Sequence, residues 1–439
     1  MNILMLNKLA LDLVARDFSK IDGRMPVNGG PTKTSRALAI IHLAARDAYA
    51  MVTKHYPPHL ATVPKPPTVV KPCDGLVTAL SAGLTAARKL YPDETVYIDV
   101  QSSGFLSGGS TSAIDYGAKV ADFWLTHRLN DGSQVPQTDR EYNCAAGRHR
   151  PDPLDPSQEA LGRHWGEVTP FVIGSVGADA PLGPPPKLGC EQYVEEYNEV
   201  YKCGKASNPM GNAELRAKAI VGIAWGYDGA NKLGTPPRLY NQVVVSTPAF
   251  WALHEPVQIN VLAAINAAMA DAGIAAWHWK YFYDLWRPVV GIREAAEGWG
   301  PSGFGDESST KDADPFWLPL GAPASNQNTK PNGTPGFPAY PSGHSTFGSA
   351  CFETFAGMID QSTAQIRFDF VSDEFNGVTT DNHGAARPRY VQRCLSLRQA
   401  IHDNSISRIY LGVHWRSDAT GGAIVGDAIA KSVITAFKK

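Results

Sequence analysis

Three cations, two histidines and one Ser-Gly pair are spaced along the second half of the chain so that their side chains could close around a tetrahedral oxyanion. Pro341-Ser342-Gly343-His344 stands directly before an apolar helical run. Ser342 and Gly343 therefore fall where a helix start leaves backbone N–H groups without partners and where the helix dipole favours negative charge. A hydroxyl and an amide can donate there, and His344, which the helix does not need as a cap, is left as an acid or base. Arg408 and His414 are six residues apart, and Asp418 follows His414 by four, one helical turn, where its carboxylate can orient the imidazole. Lys280 and Arg287 are seven apart in what reads as an unbroken helical pattern, about two turns, so their cationic ends are expected on one face. Each motif alone has a plain structural reading: a serine cap, a packed core histidine, a solvated cationic stripe. Together, the fixed charges of Lys280, Arg287 and Arg408 suit a highly charged anion such as phosphate or vanadate. Each is worth on the order of 4 kcal/mol at 4 Å and an effective dielectric of 20, and guanidinium forks select paired oxygens.

Helices must position these groups. Apolar residues recur at helical spacing over 35–52, where Leu38, Ile41, Ala45 and Tyr49 share a face, and again over 76–90 and 112–129. Residues 130–211 change character: Pro151-Asp152-Pro153, Asp155-Pro156 and Pro184-Pro185-Pro186 mark a long irregular segment that wraps a surface or narrows an entrance. Helical pattern returns over 213–227, breaks at Gly234-Thr235-Pro236-Pro237, and resumes over 254–286. A second Gly/Pro-rich loop covers 297–340, followed by helical readings at 344–359, 389–403, 405–415 and 418–437. The best strand candidate is 242–246. The pattern predicts an all-α fold of two four-helix-type bundles packed in one body with long Pro/Gly-rich loops. Residues 1–210 form the N-terminal bundle and irregular segment, and residues 211–439 the C-terminal bundle carrying the anion site.

Composition excludes several partners. A formal charge of −2 with 19% charged residues creates no field that would recruit nucleic acid or an anionic membrane. The six cysteines lie far apart with no Cys-x-x-Cys pair, which argues against structural zinc and obligatory disulfides. Lys8, Asp12, Arg16 and Asp17 interrupt the first residues, so no clear signal peptide is read. No stretch approaches the roughly 18 consecutive apolar residues of a membrane span. The expectation is a soluble protein, cytoplasmic or exported.

The set Lys280, Arg287-Pro288, Pro341-Ser342-Gly343-His344 and Ser407-Arg408 with His414 and Asp418 resembles the three-part signature shared by type-2 phosphatidic acid phosphatases and vanadium-dependent haloperoxidases. Gly30-Pro31-Thr32-Lys33-Thr34-Ser35-Arg36, His149-Arg150-Pro151-Asp152-Pro153, and Tyr227-Asp228-Gly229 leading to Gly234-Thr235-Pro236-Pro237 resemble haloperoxidase segments outside that signature. The interval between Ser-Gly-His and Ser-Arg is also longer than in typical lipid phosphatases, whose membrane spans are missing.

The resemblance implies that His414 is the vanadium ligand. Lys280, Arg287, Ser342, the Gly343 N–H and Arg408 would hold vanadate oxygens, with His344 as acid–base residue. Lys280 would polarise bound peroxide, Asp228 would orient Arg408 and Asp418 would support His414. Trp277 and Phe337 match the aromatic pair that chloroperoxidases place beside vanadate; their plainer reading is core packing. The implied cofactor is vanadate, with phosphate able to occupy the same donors. The implied partners are hydrogen peroxide, halide and a small organic acceptor, and a homo-oligomer is compatible with them. The implied reaction is oxidation of iodide, bromide and chloride to hypohalous acid for halogenation. Two other readings share these residues. One is an acid phosphatase in which His414 forms a phosphohistidine and His344 protonates the leaving alcohol. The other is a non-catalytic oxyanion-binding homologue.

Overall fold

Helical periodicity dominates the chain, and the computed structural model, which describes residues 2–19, 24–137, 140–299, 313–328 and 330–438, consists mainly of helices joined by long loops. The first group is α1 (Ile3–Asp17), α2 (Gly30–Thr53), α3 (Gly75–Leu90), α4 (Thr95–Gln101) and α5 (Thr111–His127). A largely irregular stretch then carries α6 (Val176–Asp179) and α7 (Glu191–Cys203). After it come α8 (Ala213–Ala224), α9 (Pro236–Ser246), α10 (Pro248–Trp251), α11 (Glu255–Tyr283) and α12 (Pro288–Glu294). The last part holds α13 (Gly343–Met358), an antiparallel pair β1 (Arg367–Phe370) and β2 (Gln392–Ser396), α14 (Leu397–Tyr410) and α15 (Arg416–Phe437).

The helices α2, α3 and α5 pack on one another, and α11, α13 and α15 do the same; α11 also lies on α2, so one buried apolar cluster runs through both groups. Among the described residues α11 alone is long and apolar enough to cross a membrane, but its whole apolar stretch is buried by the rest of the protein. A helix that is apolar all round belongs at the centre of a fold, and that is its place here. Contact between α13 and α15 depends on small residues: a β-carbon on Gly422 or Gly426 would come within 2.6 Å of the carbonyl oxygen of Ser342 or Thr346. That close approach sets the start of α15 beside the start of α13.

Several sequence expectations are corrected. Residues 242–246 are the end of α9, not a strand. Pro236 and Pro237 start the helix, and Leu239, Tyr240, Val243 and Val244 bury one of its faces, so packing outweighs the β-branched preference. Helices were expected over 389–403 and 405–415. Instead β2 pairs with β1, Arg367 opposite Ser396 and Phe368 opposite Leu395. Ser396 then caps α14, its Oγ accepting the Gln399 N–H at 3.1 Å, and α14 runs unbroken through Ser405. His414 accordingly stands in the turn between α14 and α15. The helix over 213–227 stops at Ala224.

The pattern over 254–286 breaks at Asp284, which has a left-handed backbone (φ 55°); Lys280 lies in the last turn of α11 and Arg287 caps α12. The two cations therefore do not share a helix face: a break in the helix separates them, and both come to lie beside Phe337. Helices α1 and α7 are additions to the sequence reading, and of the loop over 297–340, residues 300–312 and 329 lie outside the described residues. All six cysteines are free thiols.

Candidate active site

Four chain segments meet at the N-terminus of α13: the end of α11 with the turn to α12, the proline-rich segment before α13, the turn after α8, and the α14–α15 junction. Ser342 caps α13, its Oγ accepting the Ser345 N–H at 3.4 Å, while its own N–H donates to Asp418 O at 2.8 Å. Gly343 opens the helix so close to Trp277 that a β-carbon there would lie 3.4 Å from the indole.

The three cations are almost wholly buried and differently held. Lys280 Nζ donates to Pro338 O at 2.9 Å, Ala339 O at 3.0 Å and Pro341 O at 2.5 Å. Proline lacks an N–H and this segment forms no helix, so its carbonyls need an outside donor, and the ammonium supplies three. Arg287 donates from Nε to Phe337 O at 2.9 Å and from Nη1 to Val413 O at 2.8 Å and His414 Nε2 at 2.9 Å. Arg408 forks onto Asp228, Nη2 to Oδ1 at 2.7 Å and Nη1 to Oδ2 at 3.0 Å. Among the described residues, Arg287 Nη2 and Arg408 Nε are buried donors with no hydrogen-bond partner.

Both histidines are neutral rings with assigned tautomers. His414 Nδ1–H donates to Asp418 Oδ2 at 2.8 Å, which leaves the Nε2 lone pair as the nitrogen available to a metal. His344 Nε2–H donates to Gly226 O at 2.7 Å, which leaves Nδ1 able to accept a proton. Burial, reinforced by Arg408, holds His344 down to about 3. Burial and then Arg287 hold His414 well below the usual imidazole range.

The cations press on one another as well. Burial, Arg287 and Arg408 push Lys280 well below the amine range, and burial lowers Arg287 to about 9. Asp418 is pushed up to about 8 by burial, with the Trp415 N–H, Lys280 and Arg287 pulling it back. An anion among these groups would relieve the mutual repulsion and take up the two orphaned donors. A donor set of guanidinium, ammonium, helix-start amide and one imidazole lone pair fits vanadate or phosphate. It does not fit a bare cation.

Gly343, His344, Arg408 and His414 line a cavity of about 530 Å³ together with Asp228, Trp277 and Phe337. The Trp277 and Phe337 rings lie 4.8 Å apart, with Lys280 Nζ 5.1 Å from the Phe337 centroid and Arg287 Cζ 5.0 Å from it. The structure thus brings together every residue singled out from the sequence: Lys280, Arg287, Ser342, Gly343, His344, Arg408, His414, Asp228, Asp418, Trp277 and Phe337. Sequence reasoning did not identify Gly226 O or the carbonyls around Lys280, because a backbone acceptor has no residue type. It also missed Phe347, which lines the same cavity 6.4 Å from Trp277; its place one turn after Gly343 was the available signal.

Residues 260–439 match the model of the VCPO second helical-bundle domain. The chain is 28% identical to the vanadium chloroperoxidase of Curvularia inaequalis over 89% of its own length and 75% of that protein. In structure it resembles a bacterial vanadium-dependent iodoperoxidase, with TM-score 0.71 and 21% identity over 98% of this chain and 95% of that one. It also resembles a bacterial vanadium-dependent chloroperoxidase solved in its holo form, with TM-score 0.66 and 16% identity over 96% and 95% of the two chains. At such identities the two solved structures establish a common fold.

Proposed function

We propose that this chain, related to a vanadium chloroperoxidase along 89% of its length and carrying the VCPO second helical-bundle domain over residues 260–439, is a vanadium-dependent haloperoxidase. It would oxidise iodide, bromide and chloride with hydrogen peroxide to hypohalous acid for halogenation of organic acceptors. The observation that carries the reading is the pair of buried, unpartnered donors Arg287 Nη2 and Arg408 Nε in one cluster with the His414 Nε2 lone pair.

Vanadium would be bound by His414 Nε2, and the oxygens by Arg287, Arg408, the Gly343 N–H and Ser342. Bound vanadate supplies a Lewis-acidic centre that activates hydrogen peroxide towards halide without a change of valence. Arg287 Nη1 must leave His414 Nε2 for that ligand to act, since it now donates to it at 2.9 Å. Lys280, with its three hydrogens on backbone carbonyls, contributes charge and fixes the segment that carries Phe337. His344, neutral and anchored through Nε2, offers Nδ1 to take a proton from hydrogen peroxide and return it later. Trp277 and the half-buried Phe337 form an aromatic wall that would strengthen local electrostatics and strip water from a halide.

An imidazole oriented by a carboxylate, with an Nε2 lone pair that becomes nucleophilic once Arg287 leaves it, also suits a phosphohistidine-forming acid phosphatase. One experiment separates the two. Metal-stripped full chain is assayed with peroxide and each halide, with and without orthovanadate, alongside hydrolysis of an activated phosphomonoester. Halide oxidation that requires vanadate supports the haloperoxidase. Hydrolysis with no vanadate-dependent halide oxidation would overturn it.

A further inference from the structure

One turn, between α8 and α9, holds two of the site's groups at once: Gly226 O accepts from His344, and Asp228 holds the Arg408 fork. The turn is not regular. Tyr227 sits in the left-handed region (φ 55°), where a bulky residue persists only when its surroundings hold it. What holds it comes from the segment between α13 and α14. Ser372 Oγ donates to Ala224 O at 2.6 Å, and the Asp373 N–H donates to Tyr227 Oη at 2.8 Å, whose hydroxyl donates onward to Gln242 Oε1 at 3.0 Å. Glu374, fully buried, completes the contact. Its Oε1 lies 3.5 Å from the Tyr227 N–H nitrogen, and a β-carbon on Gly226 would meet that oxygen at 3.2 Å. On the other side its Oε2 accepts from Ser325 Oγ at 2.6 Å and from Arg387 Nη1 at 2.6 Å.

We propose that Glu374 is a positioning residue for the oxyanion site: its carboxylate clamps the 226–228 turn from behind and so keeps His344 and Arg408 in register with each other and with the bound anion. The proposal rests on the oxyanion-site reading and not on the halide chemistry. A buried acid is a costly way to fill space, since leaving water costs a carboxylate several kcal/mol unless it is fully paired. An apolar side chain would pack the same volume but could not accept hydrogen bonds from both sides. Burial lifts the Glu374 carboxyl to about 7, and Asp228 adds to the lift, while Arg387, Ser325 and the Tyr227 N–H oppose it. Two carboxylates, each with its own arginine, thus meet at one turn, Asp228 as part of it and Glu374 packed against its backbone. The inner one aims Arg408, and the outer one fixes the backbone that carries the inner.

The test uses the full chain and inorganic phosphate, so its result does not depend on catalysis. Glu374→Gln removes the charge but keeps an acceptor, Glu374→Ala removes the clamp, and Ser325→Ala removes one hydrogen bond to Oε2 and serves if the others fold poorly. Val433→Ala, in the buried far half of α15, is the control for general loss of stability. Phosphate affinity is measured by calorimetry, and the ring nitrogens of His344 and His414 are followed by nitrogen-15 resonance. The clamp predicts that Glu374→Gln and Glu374→Ala weaken phosphate about tenfold, equivalent to about 1.4 kcal/mol. The His344 signals should move while those of His414, whose ring nitrogens pair with Asp418 and Arg287, stay. Ser325→Ala should shift both readouts less and in the same direction, and Val433→Ala should lower the melting temperature with phosphate affinity intact. Unchanged phosphate affinity and His344 signals in folded Glu374→Gln and Ser325→Ala would overturn the clamp. An unmodified chain that binds neither phosphate nor vanadate would remove the site itself, and with it this proposal.

Discussion

Replacing His414 by alanine should separate the two anions the site can hold. His414 Nδ1 donates to Asp418 at 2.8 Å, and Nε2 accepts from Arg287 Nη1 at 2.9 Å. Truncation therefore removes one nitrogen ligand and also the hydrogen bond that ties up Arg287 Nη1, which vanadate ligated by Nε2 would have to break. A hydrogen bond to a charged group contributes about 1.5–3 kcal/mol. Freeing Arg287 from it leaves phosphate affinity unchanged or tighter, by no more than the roughly 10–150-fold to which that range corresponds at about 1.4 kcal/mol per factor of ten. Vanadate gains a bond to Nε2 that phosphate lacks. Residues behind a metal ligand typically contribute about 10–100-fold in affinity, so loss of the ligand itself should cost vanadate more than about 100-fold. Asp418 keeps the Trp415 N–H at 2.8 Å, and the chain should stay folded at a loss of about 1–3 kcal/mol, the usual penalty for an unsatisfied buried partner. Titration calorimetry of each anion into both proteins, with thermal melts of each, measures all three quantities. Equal losses for phosphate and vanadate would refute the assignment of Nε2 as the metal ligand and reduce His414 to a hydrogen-bonding group.

Three further outcomes follow from the geometry. Asp228→Ala leaves the buried Arg408 without the carboxylate its guanidinium forks onto and should destabilise the chain by about 3–5 kcal/mol, as breaking one side of a buried pair does. Saturating phosphate should return part of that in urea melts, and identical losses with and without phosphate would show that Arg408 does not face the anion. Phe337→His should weaken chloride turnover more than bromide turnover, because a polar ring wets the aromatic wall; steady-state rates decide it, and equal losses would make Phe337 core packing. His344 has its folded value lowered from 6.5 to about 3, so below pH 6.5 the unfolded chain takes up a proton that the folded chain refuses. Stability should therefore fall as pH drops from 6.5 towards 3, His344 adding at most about 1.4 kcal/mol per pH unit to the slope. In the absence of anion, His344→Gln should flatten the acid limb measured by denaturant titration; an unchanged limb would mean that His344 is solvated.

Residue type and short spacing made much of the site legible, and long-range geometry did not. Ser342-Gly343-His344 could be read because a helix start has a local signature, and His414 with Asp418 because a spacing of four is one helical turn. Lys280 and Arg287 were grouped correctly for an incorrect reason: Asp284 caps α11 between them, and they come together across that break, not on a shared face. Gly226 O anchors His344 but leaves no trace in side-chain chemistry. Val243-Val244-Val245 suggested a strand because β-branched residues favour extended backbone, whereas the prolines before them and the packing of their buried face make a helix. β2 escaped notice because no residue of Gln392–Ser396 is fully buried and the segment lacks the apolar alternation of a half-buried strand. Helix α7 was readable in principle, since Tyr193, Tyr197 and Val200 recur at helical spacing and are buried, but the surrounding prolines obscured it.

The most direct test of the account is a crystal structure of the vanadate-loaded full chain with data collected at the vanadium absorption edge. The account predicts an anomalous peak at bonding distance from His414 Nε2. Arg287 Nη1 should have moved off that nitrogen, Arg287 Nη2 and Arg408 Nε should donate to the vanadate oxygens, and Asp418 should remain on His414 Nδ1. Vanadium bonded at another residue, or Arg287 still donating to His414 Nε2 in a chain saturated with vanadate, would contradict it.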